Sequence, residues 1–168
     1  MIVVYRIVLP YPISSNAYWR SFPHPTTKRV ITTVSREAKA YKEEVRWRLK
    51  AAGFHQPLLG RVAVHIDLYP QRPKDADKRA AKDPMNWDDD VRCIDLDNAR
   101  KVLYDAMKGV AFEDDRMIFM DSATRREPDG EARVVVTIEP IVRVSPQQTI
   151  DMPAIAVQRP LALDEVPF

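Results

Sequence analysis

Two aspartates two residues apart, in Asp95-Leu96-Asp97-Asn98-Ala99-Arg100-Lys101, stand where a charged stretch runs into a helical pattern. On an extended approach, residues i and i+2 share one side of the backbone. Both carboxylates can therefore reach one hard cation, and magnesium takes such oxygens at about 2.1 Å. Lys101 follows Asp97 by one helical turn and Asp105 follows Lys101 by another, which sets the three on one face. A further acidic group, Glu113-Asp114-Asp115, comes shortly after the helix and opens the next strand, so it can fold back beside the helix N-terminus. A cation among these groups suits in-line hydrolysis of a phosphodiester, with a lysine ammonium steadying charge on one phosphate oxygen.

Each residue also has a plainer reading. Asp97 could be a helix N-cap, Asp114 and Asp115 turn residues, and Asp97 with Lys101 a surface ion pair. The combination argues otherwise, because like charges brought together repel unless a cation sits among them. A calcium loop is excluded, since its sixth position needs glycine and here is Arg100. A phosphatase-type nucleophile would end a buried apolar strand, whereas Asp95 follows Asp88-Asp89-Asp90-Val91-Arg92-Cys93-Ile94. His24, His55 and His65 show no ligand spacing, and Tyr18 and Trp19 suit either core packing or stacking on an unpaired base.

The elements that must position these groups follow from periodicity. Residues 3–9 are rich in β-branched side chains and stop at Pro10 and Pro12, which predicts a strand followed by a loop over residues 11–25. A second strand is expected over 28–34. Ser35 can cap a helix that Gly53 stops, with Ala38, Tyr41, Val45, Leu49 and Ala52 on its buried face. Residues 61–69 alternate as a half-buried strand, with Val62, Val64, Ile66 and Leu68 on one side. Residues 71–92 carry little apolar periodicity and many charges, and are expected to form a long, mobile loop. A second helix spans 97–110 on a stripe of Val102, Leu103, Ala106 and Val110. Strands over 117–124 and 132–139 flank Pro128-Asp129-Gly130, the pattern of a hairpin.

With 168 residues, 45% of them hydrophobic, one core is expected, burying about two-thirds of the unfolded surface. A net charge of +2 is too small to argue for a polyanionic partner by itself. The single cysteine, Cys93, leaves no internal disulfide or Cys-rich zinc site and suits a reducing compartment. No apolar run approaches the roughly 18 residues of a membrane span. The expectation is a soluble, cytoplasmic protein.

Asp95-Leu96-Asp97-Asn98 with Lys101, Asp105-Ala106, and Phe112-Glu113-Asp114-Asp115 ahead of a strand resemble the RusA-type Holliday-junction resolvases. The entry Leu9-Pro10-Tyr11-Pro12, with Ser15-Asn16 and Tyr18, is similar to the start of that family. The resemblance covers residues 2–140. It implies an α+β fold, a small mixed or antiparallel sheet with two main helices packed on it. Residues 1–140 would form the endonuclease domain, with 71–92 a charged insertion, and the proline-containing stretch 141–168 an arm or a disordered tail. By position, Asp95, Asp97 and Asp115 become the metal-binding catalytic carboxylates and Lys101 the catalytic lysine, with Asp105 and Asp114 in support. The implied cofactor is Mg2+, with Mn2+ as a substitute. The implied substrate is branched DNA, a four-way junction cut in pairs by a homodimer, with no membrane partner. Two departures stand out: Cys93 and Ile94 separate Arg92 from the first aspartate, where the family carries arginines, and the insertion and tail exceed the family minimum.

DNA affinity would come from basic and amide groups sharing a face with the site, each neutralised phosphate releasing counterions. The candidates are Asn16, Arg20, Lys28, Arg29 and Arg100, with Lys74, Lys78, Arg79, Arg125 and Arg126 behind them. The alternatives are a junction-binding protein without catalysis, and a magnesium-dependent nuclease acting on flaps or forks.

Overall fold

The strand with the cleanest alternation, β4 (Val62–Tyr69), lies inside the sheet. In the computed structural model, which describes residues 3–142, β4 has a neighbour on each side. Its partners are β5 (Ile118–Arg125), parallel, and β6 (Arg133–Pro140), antiparallel. β1 (Tyr5–Pro10) pairs antiparallel with β6, giving the order β1-β6-β4-β5.

The expected hairpin of the last two strands is therefore not formed, because β4 sits between them. Burial explains the insertion: Val62, Val64, Ile66 and Leu68 are almost wholly buried, whereas most of β5 is exposed, as suits an edge. Residues 126–132 span the end of β4 instead of making a tight turn, and Arg126 donates its amide to Leu68 there.

Two helices cover one face of this sheet. α2 (Arg36–Ala51) starts at Ser35, whose hydroxyl accepts from the Ala38 amide at 3.1 Å, and buries Ala38, Tyr41, Val45 and Leu49. Gly53, at φ +100°, takes the left-handed conformation that closes it. α4 (Leu96–Met107) buries Ala99, Val102, Leu103, Ala106 and Met107 against α2 and the sheet. Ile66, Leu68, Val136 and Ile138 meet these helix stripes in one cluster. The expected α+β arrangement of a mixed sheet under two main helices is what forms.

Three pieces went beyond the expected elements. Residues 15–23, expected as loop, contain the short helix α1 (Ser15–Tyr18) and β2 (Trp19–Pro23). β2 pairs with β3 (Val30–Val34) in a separate two-stranded ribbon. The charged stretch 71–92 is not wholly loop: it holds α3 (Ala76–Lys82) over a satellite core of Ala76, Trp87 and Val91. The Trp87 indole donates to Glu127 at 3.2 Å, and Arg125 donates to the Asp88 and Val91 carbonyls at 2.7 and 2.8 Å. A core this small leaves no helical stripe to read. The tail expected beyond 140 lies, apart from its first two residues, outside the described residues.

Candidate active site

Asp95 occupies the N-cap position of α4, with φ −62° and ψ 140°, yet its carboxylate accepts no bond from the first-turn amides. An aspartate at that position ordinarily caps. Its one described side-chain partner is the Asn98 amide, at 3.4 Å, so the carboxylate remains available. Asp97, in the first turn, is exposed and accepts from Lys101 Nζ at 2.6 Å, the expected contact across one turn. The positive end of the helix dipole favours both carboxylates, and Asn98 and Lys101 crowd the same corner.

Asp105, two turns further on, is differently placed. Its Oδ2 accepts from Lys42 Nζ at 2.8 Å and from the hydroxyl of Tyr18, whose ring is fully buried. Burial by itself would raise this carboxyl, but the Lys42 ammonium and the Tyr18 hydroxyl outweigh it and hold Asp105 below the ordinary carboxylate range. The same contact, added to burial, pushes the Tyr18 phenol up. Asp105 thus ties α1, α2 and α4 together.

Asp114 and Asp115 lie at the opposite end of α4. Asp114 caps a 3-10 turn over Asp115–Met117 by accepting from the Arg116 amide at 3.2 Å. Lys108, just past the last residue of α4, approaches Asp114 at 2.6 Å and Asp115 at 3.5 Å, and its ammonium is the main reason the Asp114 carboxyl falls to about 2. The twelve residues of α4, about 18 Å of rise, lie between this corner and Asp95, and the last ten of them between it and Asp97. One chain therefore brings Asp95 and Asp97 together and sets Asp115 apart from them. Among the described residues no three His, Cys, Asp or Glu side chains of a single chain gather as metal ligands.

Two carboxylates on one helical turn do fit a hard divalent ion, because neither is consumed by a backbone cap and both offer oxygen donors. Further ligands would have to come from water, substrate or another chain.

The candidate DNA contacts divide by whether their charge is already spent. Arg100 lies 3.2 Å from Asp121 Oδ2, Arg79 pairs with Asp75 and Asp90, Arg126 with Asp67, and Arg125 holds the backbone carbonyls named above. Arg20, Lys28 and Arg29, on and around the β2–β3 ribbon, have no hydrogen-bonded or ion-paired side-chain partner among the described residues, nor does Asn16 on α1. Trp19 and Phe22 are exposed on that ribbon, while Tyr18 belongs to the core.

Sequence reasoning missed several groups. Asp121 on β5 accepts from Tyr104 at 3.0 Å and faces Arg100, so it fastens the edge strand to the helix. Lys42 and Lys108 were also missed as partners of the acidic groups. Lys42 meets its aspartate across 63 positions, and no local spacing announces such a pair.

The family model for endodeoxyribonuclease RusA matches residues 10–139. The chain belongs to the RusA endodeoxyribonuclease family. The curated crossover junction endodeoxyribonuclease RusA of Escherichia coli strain K12 is 32% identical over 99 residues, covering 54% of this chain and 78% of that protein. The protein of the same description from Shigella sonnei strain Ss046 is 31% identical over the same length, with the same shares covered. As a RusA-family member the chain is an endodeoxyribonuclease, and the α+β sheet-and-helix arrangement is consistent with that family. No helix among the described residues is long and apolar enough to cross a membrane.

Proposed function

We propose that this RusA-family enzyme resolves four-way DNA junctions by magnesium-dependent hydrolysis of the backbone, with Asp95, Asp97 and Asp115 as metal-binding carboxylates and Lys101 as the catalytic lysine. The observation that carries the reading is the uncapped Asp95 beside exposed Asp97. Both carboxylates are free of structural duty, unlike Asp105 and Asp114. A divalent ion held there, Mg2+ with Mn2+ as a substitute, supplies Lewis-acid stabilisation of the charge that builds on the scissile phosphate. Asp95, at the N-cap, and Asp97, in the first turn, would hold the ion by their fixed places at the start of α4. Lys101, now neutralising Asp97, can turn its ammonium to a phosphate oxygen as that carboxylate takes up the ion. Asp105 and Asp114 support the site by fixing the C-terminal part of α4, Asp105 to α1 and α2 and Asp114 to Lys108 just past the helix. Arg20, Lys28 and Arg29 supply salt-sensitive contacts to neighbouring phosphates, and the uncharged Asn16 carboxamide offers a hydrogen bond to the DNA.

A homodimer accounts for Asp115. α4 and β5 run in opposite directions: Lys108 meets Asp115, Tyr104 meets Asp121, and Arg125 meets Val91 in the approach to the helix. β5 is an exposed edge, so antiparallel pairing of two β5 strands about a twofold would carry Asp115 of one copy toward Asp95 and Asp97 of the other. Two such sites suit paired cuts in a symmetric junction. We assign the endonuclease unit to residues 1–140, 141–168 to a separate tail, and the protein to the cytoplasm of a bacterial or phage-infected cell.

The test is a side-by-side digestion of four-way junction, flap, fork and linear duplex in magnesium, with strand mapping of the cuts. Paired, symmetric cuts confined to the junction are expected. Faster cutting of flaps or forks would replace the substrate, and junction binding without cutting in either magnesium or manganese would reduce the protein to a binding module.

A further inference from the structure

A cleft of about 500 Å³ opens beside Asp95, between the end of β1, α1 and the approach to α4. That volume falls within the roughly 300–1,000 Å³ of small-ligand clefts. One wall is apolar, formed by Tyr11, Pro12 and Ile94. The Tyr11 hydroxyl is already spent: it donates to Cys93 Sγ at 3.4 Å and accepts from the Ile94 amide at 3.0 Å. Burial, with the Cys93 contact adding to it, pushes that phenol up to about 12, so the group stays neutral. What Tyr11 contributes is a ring clamped to the irregular segment that leads into Asp95 and Asp97.

The polar lining is also sorted. Gln71 is consumed by the loop at the far rim, donating to the Gly130 carbonyl and accepting from the Ala132 amide, both at 3.2 Å. Asn16 and Arg92 line the same cleft, and their side chains have no hydrogen-bonded or ion-paired partner among the described residues. One carboxamide, able to donate and accept, and one guanidinium therefore line the cleft together with the Tyr11 ring and its apolar neighbours. Ser14, whose hydroxyl accepts from the Asn16 backbone amide at 3.3 Å, and Cys93, Ala132, Asp95 and Asn98 complete the lining, so whatever enters adjoins the proposed metal-binding pair.

We infer that this cleft takes one unpaired nucleobase next to the scissile phosphate, its face against Tyr11 and Pro12, its edge read by Asn16, and its sugar-phosphate held by Arg92. The inference rests on the nuclease reading above and deepens it. A flat ring with a hydrogen-bonding edge, attached to an anion, is the ligand this lining complements. A base at a branch point is the one a nuclease can unstack at least cost. Cleavage would then depend on the base at one position, and branched DNA would be favoured because only there is such a base cheaply released.

The test varies the base at each of the four crossover-adjacent positions of a synthetic four-way junction, with an abasic residue as the fifth member. Affinity is read in calcium and cutting in magnesium, using the full chain. One position should show a spread of about tenfold or more among bases with the wild type. Asn16→Ala should flatten that spread to within about twofold while still being weakened by the abasic substitution, because the stacking surface of Tyr11 and Pro12 remains. Asn16→Asp, which keeps the shape but only accepts, should shift preference toward cytosine, whose exocyclic amino group donates. Arg92→Ala should weaken all junctions alike and reduce the salt slope by about one. An unchanged spread in both Asn16 variants, or no spread with the wild type, overturns the inference. Cutting that persists without base dependence removes the cleft's role and leaves the nuclease reading standing. Base-dependent affinity without any cutting does the reverse.

Discussion

Lys101 reaches Asp97 across a single turn of α4, with Nζ 2.6 Å from Oδ2, and both side chains are about two-thirds exposed. An exposed i,i+4 pair contributes only about 0.3–0.5 kcal/mol to stability. Lys101→Met should therefore leave the melting temperature within about 2 °C of the wild type. If Lys101 acts on the phosphate, the same variant should lose about 100-fold or more in junction cutting. Asp97→Asn should abolish cutting while binding in calcium persists. Undiminished cutting by Asp97→Asn would remove the proposed metal pair.

The distance between the two acidic corners allows a test in mixtures. Asp97→Asn and Asp115→Asn should each be inactive by themselves. If Asp115 serves the partner's Asp97, mixing and re-associating them yields heterodimers with one intact and one doubly damaged site. Single-strand nicking of the junction should then return to roughly a quarter of the wild-type rate, since about half the dimers are mixed and each has one site. No recovery in subunits shown to exchange would mean that the sites are not shared.

Tyr18→Phe removes the hydroxyl that meets Asp105 and nothing else from the core. A hydrogen bond to a charged acceptor contributes about 1.5–3 kcal/mol, toward the lower end here because the carboxylate is partly exposed. Thermal unfolding should fall by about 3–6 °C, read by circular dichroism. Leu103→Ala, in the centre of the cluster, should cost more, about 2–5 kcal/mol.

Acid should destabilise the fold through the carboxylates held low. Asp105 and Asp67 lie below their ordinary value and Asp114 falls to about 2. A depressed folded-state pKa stabilises the protein above the unfolded value near 3.9, and this is lost as pH falls through the lower folded values. Urea midpoints should thus hold from pH 7 to about 5 and drop between about pH 4 and 2. Lys42→Met removes the cation that opposes burial at Asp105, so that carboxyl should rise toward or above its unfolded value, lowering stability at neutral pH and shrinking the part of the acid-induced loss that Asp105 carries.

Trp87 anchors the charged insertion. Trp87→Ala should open residues 71–92 to protease while the main cluster keeps its cooperative transition, because the two cores are separate. Cleavage sites mapped elsewhere would show that the insertion is not an independent unit.

Local chemistry made much of this legible. Ser35 and Gly53 marked the ends of α2 because capping and left-handed closure depend on a few adjacent residues. The alternation of Val62, Val64, Ile66 and Leu68 announced β4, and the stripe of Val102, Leu103 and Ala106 announced α4 with Asp95 and Asp97 at its start. What spacing could not convey was pairing at a distance. Turn residues at Pro128-Asp129-Gly130 suggested a hairpin, but the burial of β4 decided that it would divide β5 from β6. Trp19 and Trp87 lay in stretches without period, and only their neighbours across the chain made a ribbon and a satellite core of them.

The same division runs through the site. The sequence by itself determined which residues could hold a cation, because two carboxylates and a lysine within one helical turn meet whatever the rest of the chain does. Only the tertiary structure decided which acidic groups were free to do so. Lys42 and Tyr18 claimed Asp105, Lys108 claimed Asp114, and the length of α4 carried Asp115 away from Asp95 and Asp97. Partners 63 residues apart and the direction of an edge strand are consequences of packing, and no local pattern encodes them.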